Sequence, residues 1–258
     1  MSTSIHPTAI VSPSAHIGEN VSVGAYAIVE EDVEIGDGTT IYPHACILSG
    51  SRIGKQCTIF PCAIIGAQPQ DLKYSGAPTL VVVGDRTTIR EFVTLNRASH
   101  TDATRIGSDC LIMAYVHVAH DCMIGDHVVI ANAVQLGGHV EIGEWAVLGG
   151  MAKVHQFCRI GKHAMVAADA MITKDVPPYA LIGRDPVKVE GINRIGLQRR
   201  GFSPADIATL ETFYSIAFFS GLNMSDGIAE YRRRYPSPNG IVVDIIEFVE
   251  RSERGVYR

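Results

Sequence analysis

The sequence lacks an excess of positive charge, a long apolar run and paired cysteines, and each absence closes a class of function. Lysine and arginine total 22 against 27 acidic residues, for a formal net charge of -5. A general nucleic-acid binder carries a basic stripe instead, so no nucleic acid is expected as a partner. No stretch approaches the roughly 18 consecutive apolar residues of a membrane span. The N-terminal residues through Pro7 contain no charged region followed by an apolar run, so no signal peptide is expected. The six cysteines (Cys46, Cys57, Cys62, Cys110, Cys122 and Cys158) never form a C-x-x-C pair. Their dispersal suits small buried thiols in a reducing compartment better than a disulfide framework, and the expected location is cytoplasmic. Hydrophobic residues are plentiful, at 47% of the 258 positions, ample for a packed core.

Those hydrophobic residues follow a repeat. Every sixth residue from Ile5 to Ile65 is Ile or Val; the register resumes at Val83, Ile89 and Leu95, and again from Ile106 to Ile172. A period of six is neither helical nor a plain alternating strand. It fits a short strand and a turn, repeated, with the aliphatic side chain of each hexad pointing inward. Glycine often follows that residue, as at Gly18, Gly36, Gly54, Gly107, Gly125, Gly143 and Gly161, and is expected to permit the corner backbone. Three hexads close a triangular coil of 18 residues, so that residue n stacks over n+18. Such a coil buries its interior only against its neighbours, which is why solenoids need many repeats.

Two interruptions break the register. Between Ile65 and Val83 the expected inward positions are Asp71 and Ala77, so residues of about 66–82 read as expelled from the coil. Between Leu95 and Ile106 there are five extra residues, and about 96–105 form a second expelled loop. Long loops on a rigid scaffold are where function concentrates, although a tolerated surface insertion is the plainer reading of each. The hexads stop after Ile172, and Pro177, Pro178 and Pro186 mark a linker. Ser203-Pro204 then resembles an N-cap with proline in the first turn, and Ile207, Leu210, Tyr214 and Phe218 follow at helical spacing. Two further helices are expected, one after Ser225 and one over about 241–251. The chain thus divides into a β-solenoid over 1–189 and a small α-helical domain over 190–258.

Three segments carry groups that a solenoid core does not need: Val116 to Cys122, Gly137 to Val140, and Val154 to Phe157. The 18-residue coil stacks His120, Gly138 and Gln156 in one column, with His139 one position off it. A histidine facing out of a solenoid is more often a solvated side chain, but a column of polar groups aligned by the coil period has a geometric reason to be a site. His120 could act as a general base with Asp121 holding its tautomer, and the Gly138 N–H could donate to an oxyanion. Acyl transfer from a thioester to a hydroxyl needs only those parts, because the thioester is already activated. A metal site built from His117, His120 and His139, as in hexapeptide-repeat proteins of the γ-carbonic-anhydrase type, is the main rival. That resemblance involves a histidine pair five residues apart, and His117 and His120 are three apart. No metal and no cofactor are expected.

Several motifs are more specific than the hexads. Gln70-Asp-Leu-Lys-Tyr-Ser-Gly76, His117-Val-Ala-His-Asp-Cys122, Gly138-His139-Val140, Val154-His-Gln-Phe-Cys158, Asp175-Val-Pro-Pro-Tyr179 and Arg199-Arg-Gly-Phe-Ser203 occur in order along the chain, which closes on residues 251–258, Arg-Ser-Glu-Arg-Gly-Val-Tyr-Arg. In order and spacing they resemble the UDP-N-acetylglucosamine 3-O-acyltransferase family of lipid A synthesis, over essentially the whole length. The resemblance implies a mainly β fold, a left-handed parallel β-helix with a small C-terminal helical domain. It implies transfer of an (R)-3-hydroxyacyl group from acyl carrier protein to UDP-N-acetylglucosamine by a homotrimer whose sites lie between neighbouring solenoids. It makes His120 the base, Asp121 its support and Gly138 the oxyanion donor. Asp71, Lys73, Asn96, His117, His139 and Gln156 would hold sugar nucleotide and acyl chain, and Arg199 and Arg200 the nucleotide phosphates. A basic cluster of Arg194, Arg199, Arg200 and Arg232 to Arg234 would offer the acidic carrier protein a dock, although arginines on a helix are more often a solvated face.

Two positions depart from the family pattern. The family's usual His-Arg-Gly reads Asn96-Arg97-Ala98, and Asn cannot titrate, which leaves a 3-amino acceptor sugar open as the alternative. Ala168 stands in the acyl-length ruler, where some members have Gly, and its methyl would shorten the accommodated chain. Another hexapeptide-repeat sugar acyltransferase is the second reading. The later N-acyltransferase of the same pathway normally carries a uridine-binding domain before its β-helix, and hexads beginning at Ile5 leave no room for one. A non-catalytic scaffold is the third reading, and it predicts that His120 is dispensable.

Overall fold

In the computed structural model, which describes residues 2–183 and 185–258, the six-residue period becomes a three-sided prism. Short strands, most of two residues, stack into three sheets of eleven, nine and eight strands among the described residues. The first face begins with Ser4–Ile5, the second with Ile10–Val11 and the third with His16–Ile17. Pairing is parallel along the coils, and Ser4 lies against Ser22 and Ile5 against Val23, the 18-residue coil expected from the period. Across the interruptions the stack is preserved, with Val83 on Ile53 and Ile106 on Val83. The expelled segments are therefore bulges in the chain path and do not break the solenoid. No described helix is long and apolar enough to cross a membrane.

Each hexad in fact points two residues inward, where the period alone identifies one. The aliphatic position is joined by the residue two before it, and both columns are buried: Val21 with Val23, Val116 with Val118, Val134 with Leu136. The extra column is narrow and takes Ala, Val, Thr, Ser or Cys. Cys57, Cys110, Cys122 and Cys158 all occupy it, which accounts for four of the six thiols as core packing.

The glycine expectation is corrected. Glycines after the inward aliphatic do not make the corners; they permit close approach of successive coils. A Cβ added at Gly36 would lie 2.6 Å from the Gly54 carbonyl carbon, and one at Gly107 2.5 Å from that of Gly125. The left-handed conformation falls two residues later and is taken mostly by other residues, among them Asn20 (φ 58°), Asp32 (φ 52°), Asp121 (φ 61°) and His139 (φ 60°). Asn, Asp and His tolerate that region best among side-chain-bearing residues, so the corner itself favours them.

The solenoid also runs past Ile172. Val176 bridges to Ile160, and Ile182 pairs with Val166 at a shortened spacing. Pro177 and Pro178 thus turn a final coil and are not a linker. Val189–Ile192 then returns antiparallel on Ala180–Ile182 and leads into the helices. These are α1 (Arg194–Arg199), which the apolar spacing gave no sign of, α2 (Pro204–Ala217), α3 (Met224–Arg234) and α4 (Gly240–Glu250). Ser203 caps α2 in a capping box with Asp206, while α3 is capped by Asn223, ahead of the expected Ser225. Tyr214 of α2 is fully buried and donates its hydroxyl to the Pro178 carbonyl at 2.5 Å, fastening the helices to the last coil.

Candidate active site

Both expelled loops leave the prism at the same edge. The first departs after Ala67 on the second face and returns at Leu80 on the third; the second departs after Asn96 and returns at Ala103. One coil further on, the same second–third edge carries His120 and Asp121, between His117–Val118 and Met123–Ile124. The two loops are stitched together. Thr79 donates its hydroxyl to the Ala98 carbonyl, Ser99 its hydroxyl to Asp71, and the His100 Nε2 lies 2.9 Å from Asp71 Oδ2.

At the centre, His120 Nδ1 lies 2.7 Å from Asp121 Oδ2. The Asp121 side chain is wholly buried. Burial works to raise its carboxyl, but hydrogen bonds from the Thr101 hydroxyl, His120 and the backbone N–H groups of Thr101 and Ser99 outweigh it and hold the group well below the usual carboxylate range. An ionised carboxylate only accepts, so Nδ1 of His120 carries a hydrogen, and in the neutral ring the lone pair belongs to Nε2. No described residue hydrogen-bonds that Nε2. The imidazole rests over Gly138: a Cβ there would lie 2.6 Å from its Cε1 and 2.8 Å from Nε2. Gly138 N–H donates to no acceptor among the described residues.

A cavity of about 390 Å³ opens beside this pair, and its lining includes His117, His120, Gly138, Lys153, His155 and Gln156. The 18-residue column is thus present as one wall. His117 is held through Nδ1 by the Thr94 hydroxyl at 2.7 Å, and its pKa is lowered first by burial and then by His120. His139 stands at the edge, stacked on Phe157, with Nε2 3.6 Å from Asp121; burial lowers its pKa as well. Asp71 reaches the cluster through His100, and its carboxyl is lowered to about 2, first by the Lys73 backbone N–H and then by the Ser99 hydroxyl.

Other sequence candidates lie elsewhere in the protomer. Lys73 is exposed on the first loop. Asn96 is only 1% exposed and donates its amide to the Gln68 and Ala67 carbonyls, so in the protomer it anchors the first loop and does not face the cavity. Ala168 is exposed at the first–second edge, outside this cavity. Arg199 and Arg200 belong to the third–first edge, where Arg200 lies over the Trp145 ring and 3.5 Å from His163 Nδ1. They border a separate, mostly apolar cavity of about 710 Å³ between α1 and the first face. In the proposed basic dock, Arg194 pairs with Glu211, Arg232 with Glu250, and Arg233 and Arg234 with Glu230. Sequence reasoning missed Ser99, His100 and Thr101; their one signal was a hydrogen-bonding run inside an expelled loop.

His120, Asp121 and His139 also bring three ligand atoms within 4.8 Å of one another. The donor chemistry argues against a cation there. Both Asp121 oxygens already accept from Thr101, Ser99, His100 or His120, so a cation would have to displace hydrogen bonds that now hold the carboxylate.

A stacked-hexad prism with a His–carboxylate pair outside its wall places the chain among the hexapeptide-repeat transferases. Residues 103–138 match the bacterial transferase hexapeptide family, residues 2–109 match a GMPPB C-terminal domain, and residues 175–257 match domain 2 of UDP-N-acetylglucosamine O-acyltransferase. The chain is 48% identical to an acyl-[acyl-carrier-protein]--UDP-N-acetylglucosamine O-acyltransferase of Paracidovorax citrulli, over 99% of this chain and 100% of that one. It is 46% identical to the protein of that name from Myxococcus xanthus, over 98% of this chain and 99% of the relative. The crystal structure of a UDP-N-acetylglucosamine acyltransferase from Bacteroides fragilis superposes with a TM-score of 0.96 at 41% identity, covering 98% of this chain and all of that one (100%). The chain belongs to the UDP-N-acetylglucosamine O-acyltransferase family. It is an acyltransferase enzyme with the left-handed parallel β-helix fold.

Proposed function

We propose that the protein transfers an (R)-3-hydroxyacyl group from acyl carrier protein to the glucosamine 3-position of UDP-N-acetylglucosamine, the first step of lipid A synthesis, in the cytoplasm. The names of its relatives supply the donor and acceptor; the observation that carries the mechanism is the His120–Asp121 pair with its unpartnered Nε2. Nε2 takes the proton of the sugar hydroxyl as that oxygen attacks the thioester carbonyl. The oxyanion of the tetrahedral intermediate accepts from the Gly138 N–H. Collapse expels the carrier thiolate, which takes the proton back from the imidazolium that Asp121 has stabilised. General-base catalysis of this kind contributes about 10²–10⁴ in rate.

His117, His139, Gln156 and the Asp71–Lys73 loop hold the sugar nucleotide beside the base. Arg199 and Arg200 cannot join them within one protomer, because they sit on a different edge of the prism. A homotrimer resolves this: the third–first edge of one copy, with its arginines and apolar cavity, meets the second–third edge of the next, and Ala168 limits the length of the acyl chain. The solenoid (1–189) and the helical domain (190–258) then supply different halves of each site.

The test is acyl transfer from (R)-3-hydroxyacyl carrier protein to UDP-N-acetylglucosamine and to its 3-amino analogue, for wild type and His120→Ala, with a metal chelator present. Transfer that survives chelation and vanishes with the substitution is expected. Undiminished transfer by His120→Ala would remove the base, and loss on chelation alone would return the metal.

A further inference from the structure

We infer that Thr101 and His100, in the turn that the second expelled loop makes over the edge, are positioning residues for the transfer. The inference rests on His120 as the base. Its basis is how the Asp121 carboxylate is held. Thr101 gives Oδ1 both its backbone N–H at 2.7 Å and its hydroxyl at 2.6 Å. Ser99 N–H reaches Oδ2 at 3.1 Å, and His100 N–H lies 3.2 Å from both oxygens. Oδ1 is thereby occupied, and Oδ2 is presented to His120 Nδ1.

That presentation has a competitor. His139 Nε2 stands 3.6 Å from the same Oδ2, and its ring is edge-on to His120 at 5.4 Å between centroids. A carboxylate free to rotate would divide itself between two imidazoles, and His120 would lose both its tautomer and its orientation. Thr101 removes that freedom. His100 secures the turn from the other side: its ring stacks on His139 at 5.7 Å and its Nε2 engages Asp71 of the first loop at 2.9 Å. Closing of the acceptor-side loop and alignment of the catalytic pair therefore become one event.

Losing one hydrogen bond to a buried carboxylate predicts a fall in kcat of roughly tenfold or more. Thr101→Val is expected to lower kcat by that factor with KM for the sugar nucleotide unchanged, and Thr101→Ser to restore it. The His120 Nδ1–H proton resonance, followed with ¹⁵N-histidine labelling, should move in Thr101→Val and return in Thr101→Ser, which a purely structural role would not produce. His100→Ala, at a half-exposed ring, is expected to raise KM for the acceptor as well as lower kcat, and His100→Gln to recover part of the KM loss. If His120→Ala abolishes transfer while Thr101→Val and His100→Ala stay within about twofold of wild type, against the tenfold a lost hydrogen bond to a carboxylate implies, the positioning inference is overturned and the base stands. If His120→Ala transfers normally, the base fails and the inference falls with it.

Discussion

Substituting Gly138 by alanine separates a working site from a decorated scaffold. The φ of Gly138 lies outside the left-handed region, so the backbone accepts alanine there without strain. What the new Cβ meets is the His120 imidazole, with Cε1 at 2.6 Å and Nε2 at 2.8 Å, and Nδ1 at 3.2 Å. Ordinary contact begins near 3.4 Å, so the ring must retreat by several tenths of an ångström. It cannot do so freely, because Asp121 holds Nδ1 at 2.7 Å. Misplacing a reacting group by about 1 Å costs on the order of 10²-fold in rate, and the methyl also crowds the N–H that would meet the oxyanion. The expected result for Gly138→Ala is a kcat lower by about 10²-fold with an unaltered melting temperature. Gly137→Ala is the control: its Cβ would lie 2.7 Å from the backbone nitrogen of Gln156, so coil spacing must open and stability falls. A folded Gly138→Ala enzyme within about threefold of wild-type kcat, where a displaced base implies far more, would refute the placement of His120 over an oxyanion donor.

Three other perturbations test different links. Tyr214→Phe leaves the Pro178 carbonyl unpaired in a buried position and should cost about 1–3 kcal/mol by denaturant unfolding, with kcat little changed; an unchanged midpoint would mean the helices are held by packing alone. His163, 8% exposed, is lowered to about 4, first by burial and then by the Arg200 and Lys162 charges. Its unfolded value is higher, so the unfolded chain binds the extra proton, and stability present above about pH 6.5 is lost as pH falls toward 4, by roughly 3 kcal/mol. Unfolding of wild type and His163→Gln at pH 7 and pH 4.5 should show a shallower loss in the variant, and parallel losses would exclude His163 as the cause. Ala168→Gly should lengthen the acyl chain on the product, read by mass spectrometry; the same chain as wild type would remove Ala168 from the ruler.

The prism was legible because its inward aliphatic repeat is nearly unbroken, and burial permits few substitutes at such a position. The second inward column was not, since Val there is interspersed with Ala, Thr, Ser and Cys, which break the periodic hydrophobic signal even where they are fully buried. The final coil escaped notice because its spacing shortens just where Pro177 and Pro178 suggest an exit. The His120–Gly138–Gln156 column followed from counting by 18, but the same counting fails across the loops, because Ile65, Leu95 and Val118 stack on one another at spacings of 30 and 23 residues. What counting could not supply was the wrapping of Asp121 by residues some twenty positions earlier, which depends on how an irregular loop closes. Nor could it assign Arg199 and Arg200 to an edge, because they follow an antiparallel return that breaks the coil phase.

Residue identity alone would have misled at the corners. The left-handed turn recurs with each hexad, and its backbone favours Asn, Asp and His wherever it occurs, so His127 and His163 sit there as well as Asp121 and His139. At the third–first edge those histidines stack with Trp145 and Tyr179 in a ladder of rings, a packing role in which no described carboxylate hydrogen-bonds their ring nitrogens. The second–third edge differs in one respect: two loops close over it and drive backbone N–H groups onto Asp121. A conformational preference of the repeat supplies histidine and aspartate at many turns. The expelled loops are what convert one of those turns into an ionised acceptor aimed at an imidazole.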